Sequence, residues 1–161
     1  MAIRFLKTNK LLAFLDSECE NWVEGDSMTR NVVIIDGART PFAKAGMDLA
    51  PMSAVDLGVL AFQEAVARAG ISTEEIDQVF IGNIGQPADA ANIARVVALF
   101  SGVPKSVPAL TVQRNCASGM EAISQGMMAI STGQADVVVA GGTESMSQIP
   151  LLLTEEMKQI F

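Results

Sequence analysis

Ala109-Leu110-Thr111-Val112-Gln113-Arg114-Asn115-Cys116-Ala117-Ser118-Gly119-Met120 passes from a short apolar strand into a helix. The helix is expected from about Ala117 to Thr132, with Gly133 as its stop. A strand turning directly into a helix is the repeating unit of α/β architecture, and the same unit recurs on either side. Downstream, Val137-Val138-Val139 predicts a strand that leads into Gly141-Gly142. Upstream, Val79-Phe80-Ile81 predicts another. A helix follows it through Ile93, Val96, Val97 and Phe100, with Asp89 placed to cap it and Gly102 and Pro104 to end it. Val32-Val33-Ile34-Ile35 is a continuous β-branched run, the pattern of a strand buried on both faces. Ala38-Arg39-Thr40-Pro41-Phe42 then reads as a loop. Ser53 opens a helix with Asp56 as its capping-box partner, and Gly70 is its expected stop. Thr73-Glu74-Glu75-Ile76 reads as one short capped helical turn. Four strands alternating with helices predict an α/β fold. Its sheet is mostly parallel, with helices on both faces and right-handed crossovers.

Composition narrows the function. The chain has 161 residues, enough for one domain core. Half of them are hydrophobic and only 18% are charged, below the roughly 25% of ordinary globular chains. Such a chain is expected to bury surface against something else. Its net charge of -7, with no basic stripe, argues against nucleic acid and against an anionic membrane surface. There is no histidine, so no histidine base, triad or zinc site can come from these residues. Cys19 and Cys116 lie far apart, with no C-x-x-C spacing, and a reducing, cytoplasmic location is the expectation. No apolar run approaches the ~18 residues of a membrane span. Gly82-Asn83-Ile84-Gly85 is not a dinucleotide fingerprint, and no phosphate-binding P-loop occurs.

Cys116 is the residue with chemistry to offer. It falls where a strand turns into a helix, near N–H groups that favour a thiolate. Small Ala117, Ser118 and Gly119 allow a tight turn and leave room beside the sulfur. That is the arrangement of a nucleophile on a strand-to-helix elbow. A lone cysteine also packs readily as a small hydrophobe, and position alone leaves both readings open. Gly141-Gly142-Thr143-Glu144-Ser145-Met146-Ser147 follows the last strand, at the sheet edge where open α/β sheets bind ligands. Glu144 there reads as a group that orients backbone rather than a base. Met120, Met127 and Met128 read as core filler rather than ligands.

Asn115-Cys116-Ala117-Ser118-Gly119-Met120-Glu121-Ala122-Ile123 resembles the N-terminal active-site motif of thiolases. Ala38-Arg39-Thr40-Pro41-Phe42, Gly82-Asn83, Asn92-Ile93-Ala94-Arg95 and Ala140 to Ser147 also match family positions, in the right order. The resemblance runs from about Val32 to about Pro150. It implies acyl transfer between a thioester and coenzyme A, in the degradative or the condensing direction of fatty acid metabolism. In the family, the cysteine at the position of Cys116 carries the acyl chain as a thioester, and its backbone N–H contributes to an oxyanion hole. The family uses no metal and no resident cofactor; acyl-CoA and CoA are the substrates. Its C-terminal half supplies a Gly-His-Pro histidine and a second cysteine in Cys-x-Gly-Gly, and neither occurs here.

The resemblance therefore implies an incomplete N-terminal half, competent only with a C-terminal half in cis or trans and homo-oligomeric when complete. Residues 1–30 read as a disordered extension, with Met28 an alternative start. Residues 31–150 read as the α/β domain, and 151–161 as the start of an interrupted loop region. The alternatives are a non-catalytic remnant or interaction module and, in the same superfamily, a ketoacyl synthase.

Overall fold

The computed structural model describes residues 30–150. Cys19, Met28 and the segment from Leu151 onward lie outside the described residues. Three parallel strands form the sheet: β1 (Gln78–Gly82), β2 (Ala109–Val112) and β3 (Val138–Gly142), in the order β2-β1-β3. Three α-helices accompany them: α1 (Ala54–Ala69), α2 (Ile93–Phe100) and α3 (Ser118–Ser131). The chain leaves β1 through α2 to reach β2, then returns over β1 through α3 to reach β3. Two crossovers of one hand running in opposite directions place their helices on opposite faces.

Side-chain alternation along the strands shows those faces. Val79, Ile81 and Val139 point into one cluster with Val55, Phe62 and Val66 of α1 and Ile93 and Val97 of α2. Phe80, Val138 and Ala140 point the other way, against Ala122, Ala129 and Ile130 of α3. The expected parallel sheet with helices on both faces is what forms.

Two local expectations fail. Val32-Val33-Ile34-Ile35 is not a strand; no sheet edge among the described residues pairs with it. Only Val32 packs on a core cluster, while Ile34 is 59% and Ile35 37% exposed. A β-branched run becomes a strand only where another strand accepts from its N–H groups and donates to its C=O groups. Arg30 nevertheless ties the start of this stretch to the body, through its N–H to the Ser131 carbonyl and its guanidinium to Asp136. The cap of α2 is Asn92 and not Asp89: the Asn92 side chain accepts the Arg95 N–H, while Asp89 sits in the preceding turn. Asn92 also bonds the Ala109 carbonyl and the Thr111 hydroxyl, so the cap is fixed by β2.

The opening of α1 follows the sequence closely. Ser53 Oγ accepts the Asp56 N–H, and Asp56 accepts the Ser53 N–H in return. The helix ends at Gly70 with φ 64, a left-handed stop. The Ser53 side-chain bond, then its backbone bond, hold the Asp56 carboxyl below its usual value. A carboxylate depressed in the folded state contributes stability above the ordinary carboxylate range, and that contribution disappears as pH falls through the lowered value. Asp56→Ala is expected to cost about 0.5–1 kcal/mol at pH 7 in urea unfolding. The gap from the parent should narrow as pH falls below the ordinary carboxylate range and close only below the lowered value.

Candidate active site

The carboxyl ends of the three strands meet at one place, and glycine sets how closely. A Cβ added to Gly82, the last residue of β1, would lie 2.3 Å from the Ser118 carbonyl carbon and 2.5 Å from the Gly119 nitrogen. Real Cβ atoms do not tolerate such a contact with backbone, so only glycine lets α3 start directly on the end of β1. Gly142 closes the other side: its Cβ would lie 3.1 Å from the Gly119 Cα. The Gly82 carbonyl accepts the Thr143 N–H at 3.0 Å and joins the ends of β1 and β3.

The elbow that carries Cys116 stands on this support. Asn115 has φ 49, in the left-handed region that asparagine tolerates better than most residues. The Ala117 N–H donates to the Arg114 carbonyl at 3.1 Å, and the Ser118 N–H to the Asn115 carbonyl at 3.0 Å. Ser118 Oγ accepts the Arg114 N–H at 2.8 Å and donates to the Asn115 carbonyl at 2.6 Å. The Ser118 residue is only 4% exposed. Cys116 stands outward, exposed, two residues ahead of α3 rather than inside its first turn. Arg114 pairs with Glu121 across the start of the helix. That guanidinium, then the Gln125 amide, hold the Glu121 carboxyl below its usual value.

Glu144 orients backbone, as the sequence suggested. Its carboxylate accepts the Ile84, Gly85 and Ser145 N–H groups at 3.0, 2.9 and 3.2 Å, and the Asn83 amide at 3.3 Å. Asn83 is 2% exposed, gives a second bond to the Thr143 carbonyl and accepts the Gln86 N–H. The loops after β1 and β3 are thereby locked together. Gln86 (φ 41) and Asn115 are the positive-φ non-glycine residues among those described, and both lie just past strand ends. Strain of this kind collects at functional sites.

The other motif positions are structural. Arg95 donates to the Lys105 and Val107 carbonyls, each at 2.7 Å. Thr143 and Ser145 donate to the Ala54 and Met52 carbonyls. Arg39 stacks over the exposed Phe42 ring, 5.0 Å from its centroid. Met120, Met127 and Met128 are not core filler: they are 68%, 43% and 55% exposed, because small Ala122, Gly126 and Ala129 take the inner face of α3. The strand before Cys116, β2, is also only partly buried. An open groove of about 320 Å³ runs beside it, lined by Thr111, Gln113, Arg114, Glu121 and Gln125. No group of side chains among the described residues could hold a metal ion, and no helix there is long and apolar enough to cross a membrane.

Comparison with known proteins agrees with this geometry. The thiolase N-terminal domain profile matches residues 32–160. The chain belongs to the thiolase family. It is 40% identical over 126 residues to an acetyl-CoA acetyltransferase of Syntrophomonas wolfei, covering 78% of this chain and 32% of that protein. A probable acetyl-CoA acyltransferase of Staphylococcus aureus gives the same identity and coverage. The crystal structure of the Bacillus anthracis acetyl-CoA acetyltransferase superposes with a TM-score of 0.78 at 42% identity, over 81% of this chain and 33% of that one. An Ascaris suum thiolase in complex with coenzyme A superposes at 0.73 and 36% identity, over 75% of this chain and 32% of that one. The chain thus spans about a third of the length of the thiolases it matches.

The sequence marked Ser118 only as a small residue of the turn and Gly82-Asn83 only as family positions, not the buried hydrogen bonds of Ser118 and Asn83 or the Gly82 contact. The signals were present as an asparagine just before the cysteine and a glycine at a strand end. Gly82→Ala should displace the start of α3 and cost about 3 kcal/mol or more in urea unfolding, at the upper end of overpacking penalties. Gly70→Ala, where nothing lies within 4 Å of the added Cβ, should cost about 1 kcal/mol from its positive φ alone.

Proposed function

We propose that this chain is the nucleophile-bearing part of an acyl-CoA acyltransferase and that Cys116 carries the acyl group. The observation that carries the reading is the exposed Cys116 thiol on an elbow seated at the carboxyl end of a parallel sheet. The thiolate attacks the 3-keto carbonyl carbon of a 3-ketoacyl-CoA. The bond between C2 and C3 breaks, its electron pair passes to the departing acetyl-CoA enolate, and that carbon takes a proton. The acyl chain remains on Sγ as a thioester. A CoA thiolate then attacks it, and Cys116 leaves as the thiolate. In reverse the same steps condense two acyl groups. The Cys116 N–H is one donor for the oxyanion in this reading.

The Cys116 and CoA thiols must lose protons to become thiolates and the enolate must gain one, and the chain has no histidine to move them. Cys116 also stands in the open, with no enclosing cavity described around it. Turnover is therefore assigned to the complex with the remaining two thirds of a thiolase chain, which would bring the base, the second cysteine and the rest of the CoA site. The exposed methionines of α3 and the apolar residues Leu110 and Ile84 give such a partner surface to cover.

Thiolysis should be assayed with the purified chain alone and with the remaining two thirds of a thiolase supplied as a second polypeptide. CoA-dependent cleavage of acetoacetyl-CoA is expected only in the mixture, and Cys116→Ser should lower it at least about a thousandfold. Equal rates for the parent and the Cys116→Ser chain would overturn the assignment of the nucleophile.

A further inference from the structure

Asn115 and Ser118 form a unit whose purpose the acyl-transfer reading leaves unexplained. Asn115 holds φ 49 directly beside the nucleophile, in the left-handed region that asparagine tolerates and most other L-residues avoid. One buried hydroxyl bridges the backbone around it. Ser118 Oγ accepts from the peptide N–H of Arg114, before Asn115, and donates to the carbonyl of Asn115 itself. The two bonds bracket the Arg114–Asn115 pair. Both are short, at 2.8 and 2.6 Å, and the side chain is almost wholly removed from water. The Ser118 backbone, in turn, cannot shift toward the sheet, because it rests on Gly82.

We propose that Ser118 is a positioning residue: its hydroxyl holds Asn115 at positive φ and so fixes the direction in which Cys116 leaves the elbow. Ser118 itself touches no substrate in this account. It acts through the Gln113–Arg114 and Asn115–Cys116 peptide units, and Cys116 is the group whose aim changes. The catalytic consequence rests on the proposed acyl transfer, whereas the hold on Asn115 does not.

The test uses the chain as it stands, with Ser118→Ala in two backgrounds, the parent and Asn115→Gly. The reporter is hydrogen exchange at the Ala117 N–H, whose bond to the Arg114 carbonyl is not removed by either substitution. In the parent background Ser118→Ala should speed that exchange by about tenfold, the order expected for one buried hydrogen-bonded group. In the Asn115→Gly background positive φ carries no steric cost, and the same substitution should change exchange by no more than about twofold. The same variants, mixed with the remaining two thirds of a thiolase, should show the loss in kcat with KM nearly unchanged. An equal penalty in both backgrounds, or none in the parent, would assign Ser118 to packing alone and overturn the proposal. If no preparation turns over acyl-CoA, the exchange data still decide the hold on Asn115, and only the acyl-transfer reading falls.

Discussion

The approach of α3 to the ends of β1 and β3 is the constraint on which the site depends. Gly82 lies against the Ser118–Gly119 backbone at a distance no side chain permits, and Gly142 faces Gly119 from the neighbouring strand. Backbone in contact with backbone leaves little freedom. The start of α3 is fixed in height and direction, and the turn that precedes it inherits both. In the proposed role, Ser118 converts a fixed helix start into a fixed elbow, because its hydroxyl bonds the Gln113–Arg114 and Asn115–Cys116 peptides on either side of the Arg114–Asn115 pair. Cys116 is exposed without being loose, since each residue around it is held by a named bond.

A second set of bonds keeps the strand ends themselves in place. Glu144 gathers N–H groups from two loops, and Asn83 spans the gap between them from a buried position. Polar groups at this depth stabilise only when satisfied, and these are. Asn92 fulfils a similar role beneath β2, where one side chain caps α2 and bonds the strand. Family-like motif positions therefore turn out to be joints between elements. In the proposed reading the chemistry falls to one thiol, and these joints hold the strand ends on which its elbow rests.

Much of this was legible in the chain order of residues. Ser53 with Asp56 marked the start of α1, Gly70 its end, and apolar runs at 79–81 and 137–139 the strands β1 and β3. Local signals suffice where the interaction is local. They failed at Val32–Ile35, because a strand needs a partner that no local pattern specifies. They misplaced the cap of α2, because Asn92 was chosen by its bonds to β2, seventeen residues and more away. The methionines of α3 were misread for a related reason. Helical spacing says that Met127 and Met128 lie on a face, and only the sheet decides which face is inside. The Cys116 elbow was legible as a turn, while its support by Gly82 and Ser118 is a property of three segments meeting.

The central claim is that Cys116 becomes acylated, and the most direct measurement is the site of the covalent adduct. The chain, joined by the remaining two thirds of a thiolase, is exposed to labelled acetoacetyl-CoA, quenched in acid and digested. The account predicts an acetyl mass on the peptide that contains Cys116, removed by hydroxylamine as a thioester should be. An unlabelled Cys116 peptide in a preparation that turns over substrate would contradict it.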